Sequence, residues 1–358
     1  MGTDTAPWEG YDRIYRAFRD DEGVPVHTGH VVDDVREVEV GDWERTGGRG
    51  AFLNLQGMEY MSDLQVHEIP AGERLKTQRH LHEAIVFVIG GQGFTSLEGD
   101  GDEQTVFEWT DRSLFFLPRN TPYTHVNSSD EPARLLAMTT LPLLYSLVHE
   151  DEAIWQNDSF DQWSKIRTDD FYSSVSEQRS VEHNRTFWDA NFVPDATNFD
   201  KLDAWPERGG GGRSVFFPFT GSSMFTHISE FPPGRYKKAH RHVGGSSIVI
   251  LSGEGYSRMW TEGDDERLRI DWSPYSVFVP PTLWYHQHFN TSAGRARYMA
   301  MHGPLQGLGI NQTDEIYFMD ETNQIEYPDE DPTIREEFRE ELEEKGIEYR
   351  MEPALYER

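Results

Sequence analysis

Short apolar runs separated by turn residues recur along most of the chain. Residues 248–251 form one such run, which ends at the turn 252–255, and residues 276–279 form another, which ends at Pro280. Runs of this length between turn residues are typical of buried strands. Many short strands of this kind are typical of β-barrels and jelly rolls. The pattern therefore predicts an all-β fold.

Helical spacing appears near both ends of the chain. Near the N-terminus it predicts an aromatic helical face that packs onto a barrel rather than binding a partner; its residues are Trp8, Tyr11, Tyr15 and Phe18. In the tail, Asp331 is suited to cap a helix with Pro332 in its first turn, and Lys345 and Gly346 mark the end. The many glutamates along this helix predict that it is solvated rather than a binding element.

Three blocks of sequence occur twice. Residues 44–52 recur as 207–216, residues 69–80 as 231–242, and residues 113–127 as 276–290. Gly72 and Gly234 are 162 residues apart, and the offset changes by only one residue in the third block. A repeat of this kind predicts two similar domains. We therefore expect two double-stranded β-helix (jelly-roll) barrels, with an N-terminal helical arm and a C-terminal acidic helix.

The repeat divides the chain into five segments. We expect an arm over residues 1–40, a first barrel over 41–149, a connector over 150–205, a second barrel over 206–310 and an acidic tail over 311–358. A free linker would lack large aromatic residues, but the connector contains Trp155, Trp163, Phe171, Trp188 and Phe192. We therefore expect it to lie across the barrels and to cover the mouth of one of them.

Acidic residues outnumber basic ones, 63 to 33, which gives a formal net charge of −30. Such a surface is similar to those of proteins from salt-accumulating halophiles, and it disfavours nucleic-acid binding, which needs a basic face. The apolar runs are too short to span a membrane, and the N-terminus has no secretory pattern. We therefore expect a cytoplasmic protein of a halophile. The chain has no cysteine, which excludes disulfides and thiolate ligands.

The candidate chemistry lies in the second copy of the repeat. His240 and His242 form a His-x-His pair, which directs both rings to one face of a strand. His286 follows Pro281 at the start of another predicted strand. Three imidazoles that leave positions open suit non-haem Fe(II) best. We therefore expect one divalent metal ion on His240, His242 and His286, with Fe(II) favoured and Mn, Ni or Zn as alternatives. The alternative is that the three histidines bind no metal and are ordinary hydrogen-bonded polar residues.

These motifs resemble the two signatures of the cupin superfamily, G-x5-H-x-H-x3-4-E-x6-G and G-x5-P-x-G-x2-H-x3-N. The matching residues are Gly234, His240, His242, Gly253, Pro281, His286 and Asn290. Ser246 replaces the glutamate of the first signature, and Tyr275 and Leu283 replace the glycines of the second. With two copies, the resemblance implies a bicupin. The histidine trio without the glutamate is similar to cupin dioxygenases such as gentisate 1,2-dioxygenase.

The first copy keeps one of the three imidazoles. Gln78, His80 and Tyr123 stand at the positions of His240, His242 and His286 in turn. We favour a first barrel that has lost its metal and serves structure, packing or dimerisation. A site in another register, formed by His80, His82 and His125, is the alternative.

Two further residues are candidates for catalysis. Lys238 precedes His240 by two positions, so we expect it to share the inward face and to anchor an anionic substrate; a lysine that extends to solvent is the alternative. His288 follows His286 by two positions and is expected to support the metal site or carry protons, or else simply to pack. His227 could also line the barrel, although no spacing indicates it.

The favoured function is that of a mononuclear Fe(II) dioxygenase-like enzyme acting on a small anionic substrate, a carboxylate or a hydroxy-aromatic acid. The ring-cleavage substrate of gentisate 1,2-dioxygenase is implied by the resemblance alone. Two alternatives are a non-catalytic bicupin that binds a small molecule or sugar acid, and a metal-dependent isomerase or lyase. We expect a homo-oligomer that binds neither nucleic acid nor membrane.

Overall fold

A computed structural model describes residues 13–58, 61–99, 103–155, 157–173, 178–182, 185–264, 266–304 and 323–357. Strands form two similar barrels, and short helices lie at their edges. The all-β, two-barrel fold predicted from the short apolar runs and the repeat is therefore confirmed. No helix in the described parts of the chain is both long and apolar enough to cross a membrane.

The first half of the chain contributes eleven strands. In chain order they are β1 (Val26–Gly29), β2 (Val31–Val32), β3 (Gly41–Trp43), β4 (Gly48–Leu55), β5 (Asp63–Ile69), β6 (Ala84–Gly90), β7 (Gln92–Glu98), β8 (Gln104–Thr110), β9 (Leu114–Leu117), β10 (Tyr123–Asn127) and β11 (Ala133–Thr139). Two sheets face each other in the first barrel: one has the order β10-β7-β8, and the larger one contains β1-β4-β5-β11-β6-β9. Alternate residues of these strands fill the space between the sheets.

The second half contributes the remaining strands. They are β12 (Gln178–Glu182), β13 (Arg185–Trp188), β14 (Phe192–Val193), β15 (Asp203–Ala204), β16 (Arg213–Phe217), β17 (Phe225–Phe231), β18 (Ala239–His240), β19 (Ser246–Ser252), β20 (Gly255–Trp260), β21 (Leu268–Trp272), β22 (Val277–Phe278), β23 (Tyr285–Asn290), β24 (Ala296–His302) and β25 (Gln324–Ile325). One sheet has the order β21-β20-β23-β18-β25, and the other contains β12-β13-β16-β17-β24-β19-β22.

The two barrels exchange short strands. β2, from the N-terminal arm, pairs with β22 of the second barrel, with Val31 opposite Phe278. In return β14, from the connector, pairs with β9 of the first barrel, with Phe192 opposite Phe115. Buried apolar residues of both barrels also belong to one continuous core. Each barrel is therefore completed by a segment from the other half of the chain.

Two turns keep a left-handed backbone without glycine. Tyr275 and Leu283, which stand at the glycine positions of the second cupin signature, have φ angles of 70° and 60°. Arg112 and Asn120, their counterparts in the first barrel, have φ angles of 72° and 55°. A side chain in this region costs roughly 1–2 kcal/mol. The turn before His286 thus survives the loss of glycine because the surrounding strands impose its conformation.

Among the described residues, five α-helices flank the barrels: α1 (Arg13–Asp21), α2 (Leu141–Leu147), α3 (Asp151–Trp155), α4 (Trp163–Ile166) and α5 (Pro332–Glu344). Tyr15 and Phe18 of α1 are buried against Tyr145 of α2, as the aromatic stripe predicts. The other two residues of that stripe, Trp8 and Tyr11, lie outside the described residues.

The acidic tail helix is only partly solvated. Asp331 accepts a hydrogen bond from the Thr333 amide at the predicted start, and Gly346 has the left-handed φ of 65° expected just beyond the end. However, Phe338 is completely buried against Tyr236 and Phe289 on the outer face of the second barrel. The prediction of a solvated helix is therefore wrong for this face, because apolar residues recur at helical spacing among the glutamates.

The carboxyl group of Glu330 ties the segment before α5 to the second barrel. It accepts hydrogen bonds from the Tyr236 hydroxyl and, at 3.2 Å, from the Gln287 amide. Burial raises the pKa of Glu330 from 4.5 to about 7. Since the folded state holds this proton more tightly than the unfolded state, its stabilising contribution is present below pH 4.5 and is lost as the pH rises through 7.

We therefore expect Glu330→Gln to remove a pH dependence. Between about pH 4.5 and pH 8 the natural protein should lose up to about 3 kcal/mol of unfolding free energy relative to Glu330→Gln. Chemical denaturation at several pH values measures this difference. Glu340→Gln, a change at an exposed position of α5, is the control and should follow the natural protein. A constant difference between natural and Glu330→Gln protein across this range would contradict the assignment.

Candidate metal centre

Three imidazoles from the second barrel meet at one point. Single ring nitrogens of His240, His242 and His286 all lie within 4.8 Å of one another, and no other such group was found among the described residues. His240 on β18 and His286 on β23 are direct neighbours across the sheet. His242 extends from the loop just after β18. The structure thus brings together all three residues predicted as ligands.

Backbone carbonyls fix the orientation of two of these rings. His240 Nδ1 lies 3.2 Å from the Lys238 carbonyl oxygen, and His286 Nδ1 lies 3.2 Å from the Trp284 carbonyl oxygen. Each Nδ1 therefore donates its hydrogen to the backbone, which leaves Nε2 unprotonated and available to an ion. This is the arrangement that metal-binding histidines need.

The environment also keeps the three rings neutral. Burial lowers the pKa of His240 and His286 well below the ordinary value, with further lowering by neighbouring charges. For His242, burial and then the nearby Arg208 lower the pKa to about 4. Because a metal ion binds the neutral imidazole, the donor set fits one divalent cation at neutral pH.

Ser246, at the glutamate position of the cupin signature, belongs to a hydrogen-bonded chain instead. Its Oγ lies 2.8 Å from His302 Nδ1, and His302 Nε2 lies 2.7 Å from His227 Nδ1. His227 Nε2 is buried and has no hydrogen-bond partner among the described residues. Sequence reasoning missed His302 and gave no spacing for His227. A comparison of the two copies could have identified them, because Thr139 stands at the position of His302 and Gln65 at the position of His227 in the first copy.

His288, one of the two predicted catalytic residues, lines a cavity beside the histidine trio. Its Nδ1 is 2.8 Å from Ser257 Oγ, which also accepts a hydrogen bond from Trp272 Nε1 at 3.0 Å. The buried Ser257 hydroxyl then donates to His288 Nδ1, so that the hydrogen of His288 is on Nε2. Burial and the charge of Lys237 lower the pKa of His288 to about 3, so the ring is a neutral hydrogen-bond donor.

The first barrel repeats this last arrangement. His125 Nδ1 lies 2.7 Å from Thr95 Oγ1, which accepts from Trp109 Nε1 at 3.0 Å. The Trp–hydroxyl–His unit therefore belongs to both barrels and does not by itself mark the metal site.

The cavity beside the histidine trio has basic walls. The sixteen described residues that line it include Arg185, Arg208 and six histidines but no aspartate or glutamate, although the chain has 63 acidic residues. The space open to the centres of water molecules is about 40 Å³. The cavity is therefore suited to a small ligand.

Arg208 is the residue of this wall that is best suited to bind an anionic group. Its side chain is only 4% exposed, Nη1 donates to Gln324 Oε1 at 3.0 Å, and Nε has no partner among the described residues. Burial and, as a smaller effect, the charge of Arg185 lower the pKa of Arg208 to about 10. Sequence reasoning missed this arginine because it lies outside both cupin signatures.

Lys238, the second predicted catalytic residue, lies elsewhere. Its Nζ forms an ion pair with Glu326 at 2.6 Å. The expected inward face was inferred from strand alternation, but β18 contains only Ala239 and His240, so the alternation does not extend back to Lys238. The anchoring role predicted for this lysine thus has no support from its position.

The first barrel has an equivalent cavity with different contacts. His80 Nδ1 lies 2.9 Å from the His82 carbonyl oxygen, and His80 Nε2 lies 2.8 Å from the Tyr123 hydroxyl. The His80 and His82 rings stack at 3.5 Å, and Trp155 from the connector closes over both. His80, His82 and His125 were not found as a possible metal group in the part of the chain that the structure describes.

Comparison with known proteins agrees with this fold. Residues 65–139, which span most of the first barrel, match the family described as "Cupin domain". No curated protein sequence matches the chain significantly. Residues 65–139 therefore match a cupin domain, and the second barrel repeats the architecture of the first.

Three solved structures illustrate the likeness. A mutant of Bacillus subtilis oxalate decarboxylase is 9% identical, with a TM-score of 0.49 over 76% of this chain and 77% of that chain. The formate complex of Lactobacillus farciminis oxalate decarboxylase is 10% identical, with a TM-score of 0.49 over 76% of this chain and 86% of that chain. Vicilin from Corylus avellana (hazelnut) is 10% identical, with a TM-score of 0.47 over 78% and 86%.

Proposed function

We propose that the protein is a mononuclear non-haem Fe(II) enzyme of the dioxygenase type that acts on a small anionic substrate. The observation that carries this proposal is a largely buried trio of neutral imidazoles beside a cavity whose described lining contains arginines and no carboxylate. Neutral ligands leave a divalent ion with its full charge, which favours an anionic substrate. The proposed substrates are carboxylates and hydroxy-aromatic acids.

The residues of the chain would prepare the substrate in three ways. Arg208 would hold its anionic group, since a guanidinium offers a planar pair of donors to a carboxylate. His288 Nε2–H would donate to a substrate oxygen, because Ser257 fixes its tautomer. The buried aromatic walls around Trp205 would exclude water. An Fe(II) ion on His240, His242 and His286 would supply dioxygen chemistry when bound.

Metal analysis and oxygen uptake test this proposal. Protein purified at molar salt is analysed for Fe, Mn, Ni and Zn, then loaded anaerobically with Fe(II) and exposed to a panel of 2-hydroxy-aromatic acids and 1,3-dicarbonyls. The expected result is substrate-dependent oxygen uptake with Fe(II) and none with Zn(II). Conversion of a substrate without oxygen uptake would instead establish an isomerase or lyase. Binding without conversion would establish a binding protein.

Arg208→Gln is expected to weaken substrate binding. Loss of a buried charge-assisted hydrogen bond costs about 1.5–3 kcal/mol, so KM should rise by roughly 10–100-fold. Arg241→Gln is the control, since Arg241 pairs with Glu262 at 2.8 Å outside the cavity lining. Equal KM values for the two variants would show that Arg208 does not hold the substrate.

A further inference from the structure

Lys237, the residue next to Lys238, is a buried cation in a barrel wall. It is 1% exposed. Its Nζ donates to Ser229 Oγ and, at 3.0 Å, to the Tyr298 hydroxyl oxygen. No ion pair within 4.0 Å joins Lys237 to a carboxylate in the described parts of the chain. An ammonium group buried among neutral partners is costly to keep, which indicates that its charge serves a purpose in this barrel.

Tyr298 connects this lysine to the cavity. The residue lines the cavity, and its ring lies 5.1 Å from the His288 ring and 5.9 Å from the His227 ring, centre to centre. Because the phenol oxygen accepts from Lys237, its own hydrogen must go to a different acceptor. No such acceptor appears among the hydrogen bonds of the described residues. The phenol therefore has a donor to offer to a ligand.

The first barrel shows that the fold does not require this pair. Leu75 and Leu135 stand at the positions of Lys237 and Tyr298, and both are buried in the first core. Ser229, the other partner of Lys237, corresponds to His67. Two leucines fill these positions in one barrel, whereas the barrel with the histidine trio has a lysine and a tyrosine. The lysine–tyrosine pair is therefore found in the barrel that has the histidine trio and is not a requirement of the fold.

We propose that Tyr298, positioned by Lys237, donates a hydrogen bond to a carboxylate oxygen of the substrate and forms with Arg208 a carboxylate-binding subsite beside the metal centre. This inference rests on the proposed function only in assuming that the second-barrel cavity is the substrate site. Tyr298 contacts the substrate, and Lys237 acts through Tyr298.

The lining and size of the cavity select the ligand. Arg208 Nε and the Tyr298 hydroxyl both offer hydrogens that the described chain does not use. Donors without a neighbouring carboxylate suit an anion and reject a cation. The cavity, with about 40 Å³ open to the centres of water molecules, suits a small ligand. The substrate class is therefore a small carboxylic acid, held at one oxygen group by this subsite.

Calorimetric titration with acetate and acetamide tests the subsite, because the two probes have nearly the same shape and differ in charge. Zn(II)-loaded protein is used, so that no oxygen chemistry enters. Acetate should bind natural protein at least about tenfold more tightly than acetamide, as expected for a charge-assisted hydrogen bond. Tyr298→Phe should weaken acetate by roughly 5–20-fold and leave acetamide nearly unchanged.

Two further variants separate the role of Lys237 from a general effect on folding. The double variant Lys237→Leu, Tyr298→Leu installs the pair found in the first barrel, and it should fold while losing most of the preference for acetate. Lys238→Met removes the neighbouring lysine, which pairs with Glu326, and should keep the full preference. Circular dichroism and metal content are compared for every variant.

The subsite would be overturned if natural protein showed no preference for acetate. It would also be overturned if the double variant and Lys238→Met kept the same preference, since acetate would then be held by the metal alone. Neither result bears on oxygen uptake with Fe(II), and a protein that fails to consume oxygen can still show the acetate preference. The two proposals therefore fail independently.

Discussion

Replacement of His242 by alanine is expected to remove metal binding from the protein. The three imidazoles lie within 4.8 Å of one another, so loss of one leaves two nitrogens and should weaken affinity by at least roughly 10–100-fold, since changes even to the outer partners of metal ligands cost that much. Elemental analysis after gel filtration measures the outcome. His240→Ala and His286→Ala should behave in the same way.

The matched control is His80→Ala, because His80 occupies the position of His242 in the first barrel. His80 has hydrogen bonds at both ring nitrogens, to the His82 carbonyl and the Tyr123 hydroxyl. We expect this variant to keep its full metal content. If His80→Ala lost the metal while His242→Ala retained it, the ion would belong to the first barrel and the assignment of the site would be wrong.

Removal of salt is expected to loosen the whole protein. The formal net charge of −30 creates self-repulsion that opposes the compact state. The screening length grows from about 3 Å at 1 M salt to about 30 Å at 0.01 M, so acidic groups that are screened at high salt repel one another at low salt. Thermal unfolding followed by circular dichroism should show a midpoint that falls steeply over this range.

A non-ionic osmolyte provides the control for this experiment. Sucrose favours burial without screening charge, so it should restore less of the stability at low salt than an ionic solution does. Unchanged circular dichroism and an unchanged unfolding midpoint from molar to millimolar salt would show that the acidic surface is not an adaptation to salt.

The architecture was predictable because the apolar runs and the repeat can be recognised directly in the sequence. The short apolar runs and the offset of 162 residues between Gly72 and Gly234 identify two barrels without long-range information. The histidine trio was predictable for the same reason, since His240 and His242 belong to one motif. His286 joins them because β18 and β23 are neighbours in the sheet, which the cupin resemblance implied.

The remaining parts of the site depend on distances that a sequence does not contain. The sequence does not distinguish Lys237 from Lys238, two adjacent lysines before His240. In the structure Lys237 is buried beside Tyr298, while Lys238 pairs with Glu326. Strand alternation favoured the wrong lysine because β18 is only two residues long. Arg208 reaches the cavity from outside both signatures.

The exchange of strands β2 and β14 between the barrels affects how the protein unfolds. Each is two residues long and has little stability of its own, yet each closes a sheet in the opposite half. Neither half-chain carries all the parts of its own barrel, so the halves should melt as one cooperative unit despite their ancestry as duplicated modules. A mutation that weakens the first barrel should then also lower metal binding by the three histidines of the second barrel, although the mutated residue lies far from them in sequence.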